Sequence, residues 1–338
     1  MHYAPYEEAG GAPNVIVDGA PTTGTLLTLS HWPHSPVPAG LEADLSAEMA
    51  FGYLARPDLH GRAEVVSNNH FDQDGLVSVF ALVHPSAALP RRALLIDVAA
   101  AGDFATYRSR DAARASMTIA AFADPARSPL GVAPPDYGEW AAALYTNLLG
   151  RLVEITEHPD RYRSLWAEED ATLTESEWAI TSGRVTIDEV PGLDLALVEA
   201  TPDSPAAGGH RFASDWATGL HPMAVHNATK RFTIVSVRGR RYELTYRYEG
   251  WVQYRTRRPR PQADLAPLAE RLSAEEADGG RWVFDGAGAL VPRLSLAGGT
   301  ESTLSPARFR SVLEAYLAEA PPAWDPYAVP EPQTGPAA

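Results

Sequence analysis

The sequence contains no cysteine and only one lysine, Lys230. Without cysteine the chain cannot form disulfides, a thiolate nucleophile or a cysteine-ligated zinc or iron–sulfur centre, so histidine and carboxylate side chains remain as ligands for a metal ion. Such ligands favour hard divalent cations such as Mn²⁺ or Mg²⁺. The single lysine argues against Schiff-base chemistry and against a phosphate-binding P-loop.

Long apolar runs are also missing, because none approaches the roughly 18 residues needed to cross a bilayer. The first residues, MHYAPYEEAGGAP, have neither the basic region nor the apolar core of a signal peptide. We therefore predict a cytoplasmic protein without membrane contact. Three functional motifs are absent as well: the nucleophile elbow G-x-S-x-G, the P-loop G-x-x-x-x-G-K-[ST], and G-x-G-x-x-G after a strand.

The composition is that of a folded protein, with 45% hydrophobic and 9% aromatic residues over 338 positions, a length that suffices for two domains. The net charge of −15 argues against the binding of long nucleic acid. Ten of the 28 basic residues nevertheless lie between Lys230 and Arg260, where Glu243 and Glu249 are the only acids. This basic segment is predicted to be either a solvated strand surface or a site for an anionic ligand such as phosphate.

The first part of the chain predicts an α/β domain with a doubly wound, mainly parallel sheet. Short apolar runs alternate with segments of helical periodicity, and this order implies parallel strands joined by right-handed crossovers. From Arg108 to about Ser182 the helical spacing continues, which predicts an inserted helical region. The predicted strands are Asn14–Asp18, Thr25–Leu29, a segment ending at Asn68, Ala93–Asp97, and two that begin at Arg184 and Leu193, with helices at SAEMAFGYL and from Gly75 to about Val83.

The second part predicts a smaller α+β domain. Phe232–Val237 and Tyr242–Tyr254 alternate as strands, and the helix ADLAPLAERLSAEEA, the strand LVPRLSL and the helix SPARFRSVLEAYLAEA follow. We predict domains at residues 12–200 and 210–321 and a disordered Pro-rich tail at residues 322–338. The intervening TPDSPAAGG has the composition of an interdomain linker or of a surface loop.

The richest polar cluster lies in EVVSNNHFDQDGLVSVFAL, residues 64–82. A β-branched run ends just before it and an apolar run follows Gly75, so His70, Asp72 and Asp74 are predicted in a strand-to-helix turn, where open α/β sheets bind ligands. Two carboxylates this close repel each other unless a cation lies between them. A divalent ion there would lower the pKa of a bound water and polarise a phosphoryl oxygen. A helix cap is the alternative role for such an aspartate.

Further ligands are predicted from neighbouring segments. Asp97, at the end of a predicted strand, or Asp103, in the loop after it, could complete the site. His31 and His34 follow the strand TLLTL and could lie on the same rim, with a surface position as the alternative. A second group of polar residues lies further along the chain and consists of His210, Asp215, His221 and His226. Loop, cap and phosphate-binding roles stay open for this group.

Asn68, Asp72, Asp74 and Ser78 form the frame N-x-x-x-D-x-D-x-x-x-S, which resembles the first motif of the DHH phosphoesterase superfamily. That superfamily includes family II pyrophosphatases, prune-type exopolyphosphatases and RecJ-like or oligoribonuclease-like phosphodiesterases; asparagine in the first position resembles the prune-type branch. The second part of the chain is similar to a DHHA1 substrate domain. The sequence departs from the family in lacking the DHH triplet, and Arg281 and Trp282 stand where the glycine-rich loop of the family ends in histidine.

The resemblance implies a divalent-metal-dependent phosphoesterase that hydrolyses a small phosphorylated or nucleotide substrate in an interdomain cleft. Together, the motifs and the resemblance predict catalytic roles for His70, Asp72 and Asp74, metal ligation by His31, His70, Asp72, Asp74, Asp97 and Asp103, and substrate binding by Asn68, Asn69, Ser78, Gly279, Gly280 and Arg281. The alternatives are a non-catalytic descendant of this fold that binds a nucleotide or a protein partner, and a metal enzyme of different chemistry. Assembly as a homodimer stays open.

Overall fold

The structure is a computed structural model that describes residues 1–201, 219–299 and 301–328. Its strands are β1 (His2–Tyr3), β2 (Asn14–Val17), β3 (Thr25–Leu29), β4 (Val65–Ser67), β5 (Val185–Val190), β6 (Leu195–Ala200), β7 (Thr233–Arg238), β8 (Arg241–Tyr246), β9 (Gln262–Ala263), β10 (Trp282–Phe284), β11 (Arg293–Leu296) and β12 (Pro322–Trp324). Its helices are α1 (Tyr6–Ala9), α2 (Ser46–Leu54), α3 (Gln73–Val83), α4 (Pro85–Ala88), α5 (Arg92–Asp103), α6 (Arg110–Ala123), α7 (Tyr137–Leu148), α8 (Leu152–Glu157), α9 (Arg163–Thr181), α10 (Pro222–Ala228), α11 (Ala266–Glu275) and α12 (Pro306–Glu319). The predicted mixed α/β class is confirmed.

The first sheet is parallel throughout, with the strand order β1-β4-β2-β3. All four residues of β2 are buried, which is the pattern of a parallel strand covered on both faces. Because parallel strands end at the same edge of a sheet, the residues that follow β2, β3 and β4 meet at one rim. Asp18 directly follows β2, His31 lies two positions after β3, and the polar turn follows β4.

Helices α2, α3 and α5 pack together beside this sheet around an apolar core. Residues 73–82 of α3 are all buried, so this helix lies deep inside the core. Its packing fixes the position of its first turn at the edge of the sheet. The helix begins at Gln73, two residues before the predicted start at Gly75. Its N-cap is Asp72, whose Oδ1 accepts a hydrogen bond of 2.8 Å from the backbone N–H of Gly75.

The predicted strand at Ala93–Asp97 is wrong, because these residues form the first half of helix α5. A short apolar run such as ALLID does not distinguish a strand from a buried helix by its periodicity. The Ala-rich continuation favours the helix, and Leu95, Val98 and Ala99 are buried with helical spacing against the core. The helical geometry places Asp103 at the end of α5 and leaves Asp97 within it.

The second sheet is mixed, with the order β10-β11-β8-β7-β6-β5, and only β6 and β7 pair in parallel. The predicted boundary between residues 200 and 210 therefore falls between two strands that pair with each other. Residues 202–209 of the predicted linker lie outside the described residues. The predicted strand Tyr242–Tyr254 ends at Tyr246, since a helical turn at Tyr248–Gly250 redirects the chain toward the first sheet.

Part of the predicted disordered tail is structured. Pro322–Trp324 forms β12 and pairs with β9, and the indole of Trp324 stacks on Trp251 with ring centroids 5.9 Å apart. Strand pairing and aromatic stacking thus order residues 322–324 despite the high proline content that favoured disorder. Residues 329–338 lie outside the described part of the chain.

Within the described ranges, no single helix is long and apolar enough to cross a membrane. Two consecutive helical segments, Gln73–Val83 and Pro85–Asp103, are long and apolar enough only when taken together, and the chain bends by 115° between them. The first of these two helices is the deeply buried α3.

We expect Gly102→Ala to lower the free energy of unfolding by about 1–3 kcal/mol, because a β-carbon at Gly102 would lie 2.5 Å from Cβ of Gln73. Gln73 cannot move away freely, since its Nε2 donates to Ser116 O at 2.9 Å. Urea denaturation measures the change. Gly150→Ala is the control, because a β-carbon there would meet nothing within 4 Å; equal midpoints for the two variants would contradict the proposed close contact between α3 and α5.

Candidate metal centre

Asp18 occupies a left-handed backbone position, with φ of 48°, at the carboxyl end of β2. Aspartate tolerates this conformation better than most residues do. The next residue is Gly19, where a β-carbon would lie 2.2 Å from Oδ1 of Asn69. The turn thus brings the ends of β2 and β4 close together. The buried carboxylate of Asp18 accepts a hydrogen bond of 2.8 Å at Oδ1 from the hydroxyl of Ser46.

His31 presents one ring nitrogen to two carboxylates. Its Nδ1 lies 2.6 Å from the backbone carbonyl of Asp44, so Nδ1 carries the proton and the neutral ring has its lone pair on Nε2. This buried Nε2 lies 3.4 Å from Asp18 Oδ1 and 3.5 Å from Asp103 Oδ2, and makes no hydrogen bond within the described structure. Charged N–H···O bonds are shorter, about 2.7–2.9 Å. Ligand atoms about 2.1 Å from one ion lie about 3.0 Å apart at an octahedral angle and about 3.4 Å apart at a tetrahedral angle, so separations of 3.4 and 3.5 Å leave room for a shared cation.

Asp74 and Asp103 complete this group from two helices. Asp74 lies in the first turn of α3, and its oxygens accept hydrogen bonds of 2.8 Å from the backbone N–H groups of Ser46 and Ala47 at the start of α2. The positive end of the α2 dipole therefore faces the group. Asp103 ends α5, and its side chain is only 4% exposed.

The four residues Asp18, His31, Asp74 and Asp103 form what we call the buried subsite, because each offers one ligand atom and these atoms lie within 4.8 Å of one another. The ligand atoms of Asp18, His70 and Asp72 also lie within 4.8 Å of one another, and these three residues form the open subsite. There the side chains of His70 and Asp72 are 24% and 30% exposed.

Asp18 belongs to both subsites and presents a different oxygen to each. Its Oδ1 lies 3.4 Å from His31 Nε2, and its Oδ2 lies 3.3 Å from His70 Nε2. A carboxylate shared in this way is the arrangement of paired divalent ions about 3.5–4 Å apart. Each of the two groups of aspartate and histidine could hold a metal ion.

The open subsite is organised by the turn between β4 and α3. His70 Nε2 lies 2.7 Å from Asp72 Oδ2, while the other oxygen of Asp72 caps α3. The indole of Trp32 stacks on the imidazole of His70 with ring centroids 5.4 Å apart. Asp72 thus serves as a helix cap and as a member of the subsite at once, so the two roles that the sequence left open are compatible.

Burial and, after it, repulsion between the carboxylates govern the electrostatics of the centre. Burial raises the pKa of Asp18, Asp74 and Asp103, and the neighbouring carboxylates raise it further. Burial opposes the charge of His70, but Asp72 and Asp18 outweigh it and raise the pKa of His70 to about 12. Burial likewise raises the pKa of Asp72, yet the charge and hydrogen bond of His70 bring it below its usual value. Protons therefore balance the excess negative charge until cations replace them.

Aromatic residues from the chain after β8 cover the buried subsite. The ring of Tyr248 contacts that of His31 at 5.8 Å, and Trp251 stacks on Tyr248 at 5.8 Å and meets Trp32 edge-on at 5.8 Å. Solvent reaches the centre on the side of His70 and Asp72, whose side chains are partly exposed.

The structure brings together His31, His70, Asp72, Asp74 and Asp103 of the predicted ligands. Asp97 lies outside both subsites, since its carboxylate accepts hydrogen bonds from the N–H groups of Arg108 and Ser109 at 2.8 and 2.7 Å before α6; its predicted role as a ligand is not supported by the geometry. His34 is exposed and belongs to neither subsite.

The predicted substrate-binding residues separate into two places. Asn68 and Asn69 border the centre, since Asn68 Oδ1 accepts from His70 N–H at 3.1 Å, and Ser78 is buried one helical turn beyond Asp74. Residues 279–281 instead line a cavity of about 620 Å³ between α11 and β10 that shares no lining residue with either subsite. The geometry therefore does not place Gly279, Gly280 and Arg281, predicted to bind substrate, in either subsite.

The basic segment and the second histidine group have structural contacts. Arg231 and Arg257 both pair with Asp194, and Arg258 pairs with Asp325, which favours the solvated-surface interpretation. His221 caps α10 through its Nδ1, as the cap interpretation predicted. His210 and Asp215 lie outside the described residues.

Sequence reasoning missed Asp18 and Ser46 as members of the centre. Asp18 ends the predicted strand NVIVD, so its position on the rim was the available signal. Ser46 contacts three of the ligands: its N–H donates to Asp74, its hydroxyl donates to Asp18, and its Oγ accepts from His31 N–H at 3.3 Å. Nothing in the sequence distinguishes this serine from an ordinary helix cap.

The fold and these contacts define a mixed α/β protein whose buried aspartate and histidine groups could hold a metal ion. The chain belongs to a family described as a family of unknown function (DUF6687), whose model matches residues 1–328. No curated protein and no solved structure matches the chain.

We expect Asp103→Asn to weaken Mn²⁺ binding by at least about 100-fold, because it removes a charged ligand from the buried subsite. Asp97→Asn is the matched control on the same helix and should bind Mn²⁺ like the wild type, since the Asp97 carboxylate lies outside both subsites and accepts from the N–H groups of Arg108 and Ser109. Isothermal titration calorimetry compares the two variants. Equal losses would indicate a general effect on α5 rather than ligation.

We also expect the rise in Tm caused by Mn²⁺ to grow from pH 5 to pH 8. The raised pKa values of Asp18, Asp74, Asp103 and His70 mean that the cation-free folded state holds extra protons, so its stability falls progressively as pH rises from the ordinary pKa values of these groups toward the raised ones. A cation must displace these protons in order to bind, and this competition weakens as pH rises. Scanning calorimetry with Mn²⁺ and with chelator measures the difference, and a shift that is constant or falls with pH would contradict this electrostatic account.

Proposed function

We propose that the protein is a hydrolase of phosphoesters that depends on Mn²⁺ or Mg²⁺ and acts on a small phosphorylated molecule or a nucleotide. The observation that carries the proposal is the shared carboxylate of Asp18, whose two oxygens face two separate sets of ligands. Paired sites of this kind serve in phosphatases and nucleases.

The donor set fits hard divalent cations. Four carboxylates, those of Asp18, Asp72, Asp74 and Asp103, contribute four negative charges when ionised, which two divalent cations would balance. Oxygen ligands suit Mg²⁺ and Mn²⁺, and the single histidine in each subsite favours Mn²⁺ over Mg²⁺. The hydrogen bond from His31 Nδ1 to the Asp44 carbonyl is the orienting contact that metal-binding histidines commonly have.

Divalent cations, when bound, lower the pKa of a coordinated water and polarise a phosphoryl oxygen. The residues of the two subsites would have different roles in holding the cations and binding the substrate. The side chains of Asp18, His31 and Asp103 in the buried subsite are at most 4% exposed and would fix the geometry. His70 and Asp72 are partly exposed and would meet the phosphoryl group, while Trp32 beside His70 offers a ring on which a nucleobase can stack.

The resemblance of the Asn68–Ser78 frame to the first DHH motif supports the same reaction class. The ligands that complete the centre here come from Asp18, His31 and Asp103 rather than from a DHH triplet. The doubly wound sheet and the cytoplasmic location inferred from the sequence are compatible with this function and stay predictions.

We expect purified protein with Mn²⁺ to hydrolyse bis-p-nitrophenyl phosphate, pyrophosphate or short oligonucleotides, and a chelator to abolish the activity. Asp72→Asn should reduce kcat by about 10- to 100-fold or more, because Asp72 lies in the open subsite. Asp97→Asn should leave kcat near the wild-type value. Steady-state assays of phosphate or p-nitrophenol release provide the measurement.

Two negative results have different meanings. Mn²⁺ binding without hydrolysis of any of these substrates would favour the non-catalytic alternative, which calorimetry with nucleotides in the absence of metal would then test. Absence of both binding and hydrolysis would overturn the proposed function.

A further inference from the structure

His31 is held in place from two sides. Its ring donates through Nδ1 to the backbone carbonyl of Asp44 at 2.6 Å, and its own backbone carbonyl accepts a hydrogen bond of 2.9 Å from the N–H of Gln253. The position of the buried Nε2 therefore depends on the segment around Asp44 and on a segment that follows β8.

The carboxylate of Asp44 joins these two segments. Its Oδ1 accepts hydrogen bonds from the N–H groups of Arg255 at 2.5 Å and Thr256 at 2.9 Å, and its Oδ2 accepts from the hydroxyl of Thr256 at 2.6 Å. Three donors occupy this carboxylate, which lies in neither subsite. Asp44 thus acts as a clamp and not as a ligand.

We call residues 253–256 the strap. Tyr254 of the strap packs edge-on against Phe104 with ring centroids 5.3 Å apart, and Phe104 directly follows the ligand Asp103. The side chain of Gln253 donates to the carbonyl of Pro326 at 3.1 Å. The strap therefore connects the metal centre to the C-terminal segment that packs around β12.

We infer that Asp44 and Thr256 are positioning residues for His31, so that docking of the strap sets the affinity of the buried subsite for its cation. By linkage, a cation at that subsite in turn stabilises the docked strap. This inference rests on the cation binding of the proposed function and adds to it a control exerted by residues far away in the sequence.

The expected loss of Mn²⁺ affinity follows from the contacts that link Thr256 to His31 through Asp44. Removing the hydroxyl of Thr256 leaves Oδ2 of Asp44 without its donor, so Asp44, whose backbone carbonyl orients His31, keeps only the two N–H donors at its Oδ1. Changes to the partners of metal ligands typically cost 10- to 100-fold in metal affinity. Because Thr256 acts one contact further out, we expect Thr256→Val to weaken Mn²⁺ binding by about tenfold and Thr256→Ser to restore it.

The chain contains a matched control in Thr303. Its N–H and its hydroxyl both donate to one oxygen of Glu276, at 2.8 and 2.6 Å, much as Thr256 donates to Asp44. Neither Thr303 nor Glu276 belongs to a subsite. Thr303→Val removes an equivalent hydrogen bond and should leave Mn²⁺ affinity unchanged.

The experiment is a calorimetric titration of the full chain with Mn²⁺ for the wild type, Thr256→Val, Thr256→Ser and Thr303→Val, with hydrogen exchange of residues 253–256 measured with and without Mn²⁺. We expect weaker binding in Thr256→Val alone and slower exchange of the wild-type strap when Mn²⁺ is bound. Asp44→Asn tests the same clamp from its other side and should also weaken binding, which keeps the test open if Thr256→Val fails to fold.

The possible failures are distinguishable. Wild-type binding with equal affinities for Thr256→Val and Thr303→Val would overturn the inference and leave the proposed function intact. A wild-type protein that takes up no Mn²⁺ would overturn the proposed function, and the inference with it.

Discussion

The concentration of negative charge at the rim of the first sheet is the constraint on which the rest of the structure depends. Carboxylates from the ends of β2 and α5 and from the start of α3 lie within a few ångströms of one another and away from water. Burial of unpaired charge is costly. The N-terminus of α2 and the hydroxyl of Ser46 offset part of that cost, and His70 supplies a positive charge at the open side. The remainder requires protons or cations.

The two subsites differ in their access to solvent, and under the proposed function this difference would give them different uses. A cation enclosed by Asp74, His31 and Asp103 would exchange slowly and hold the rim together. A cation at His70 and Asp72 would remain accessible to a phosphorylated ligand. The aromatic rings around the centre come from both the N-terminal and the C-terminal parts of the chain, so the enclosure depends on how the second sheet packs against the first.

The polar turn between β4 and α3 was predictable because its signals are local. A β-branched run, an aspartate N-cap and an apolar helix follow one another within a few residues, and the structure forms these elements in that order. The choice between Asp97 and Asp103 was not predictable in this way. It depended on whether ALLID forms a strand or a helix, and burial against α3 decided for the helix. The resemblance to the DHH superfamily rests on the same local frame and stays a prediction.

The sequence by itself determined the chemistry available: without cysteine, a metal ion can be held only by histidine and carboxylates, and the residues of the Asn68–Ser78 turn were identifiable among them. Only the tertiary structure decided that Asp18 joins them, that His31 turns its free nitrogen inward, and that the strap reaches back to Asp44. These contacts join segments distant in the chain. They follow from the parallel strand order and from side-chain packing, neither of which is recorded in any local pattern of residues.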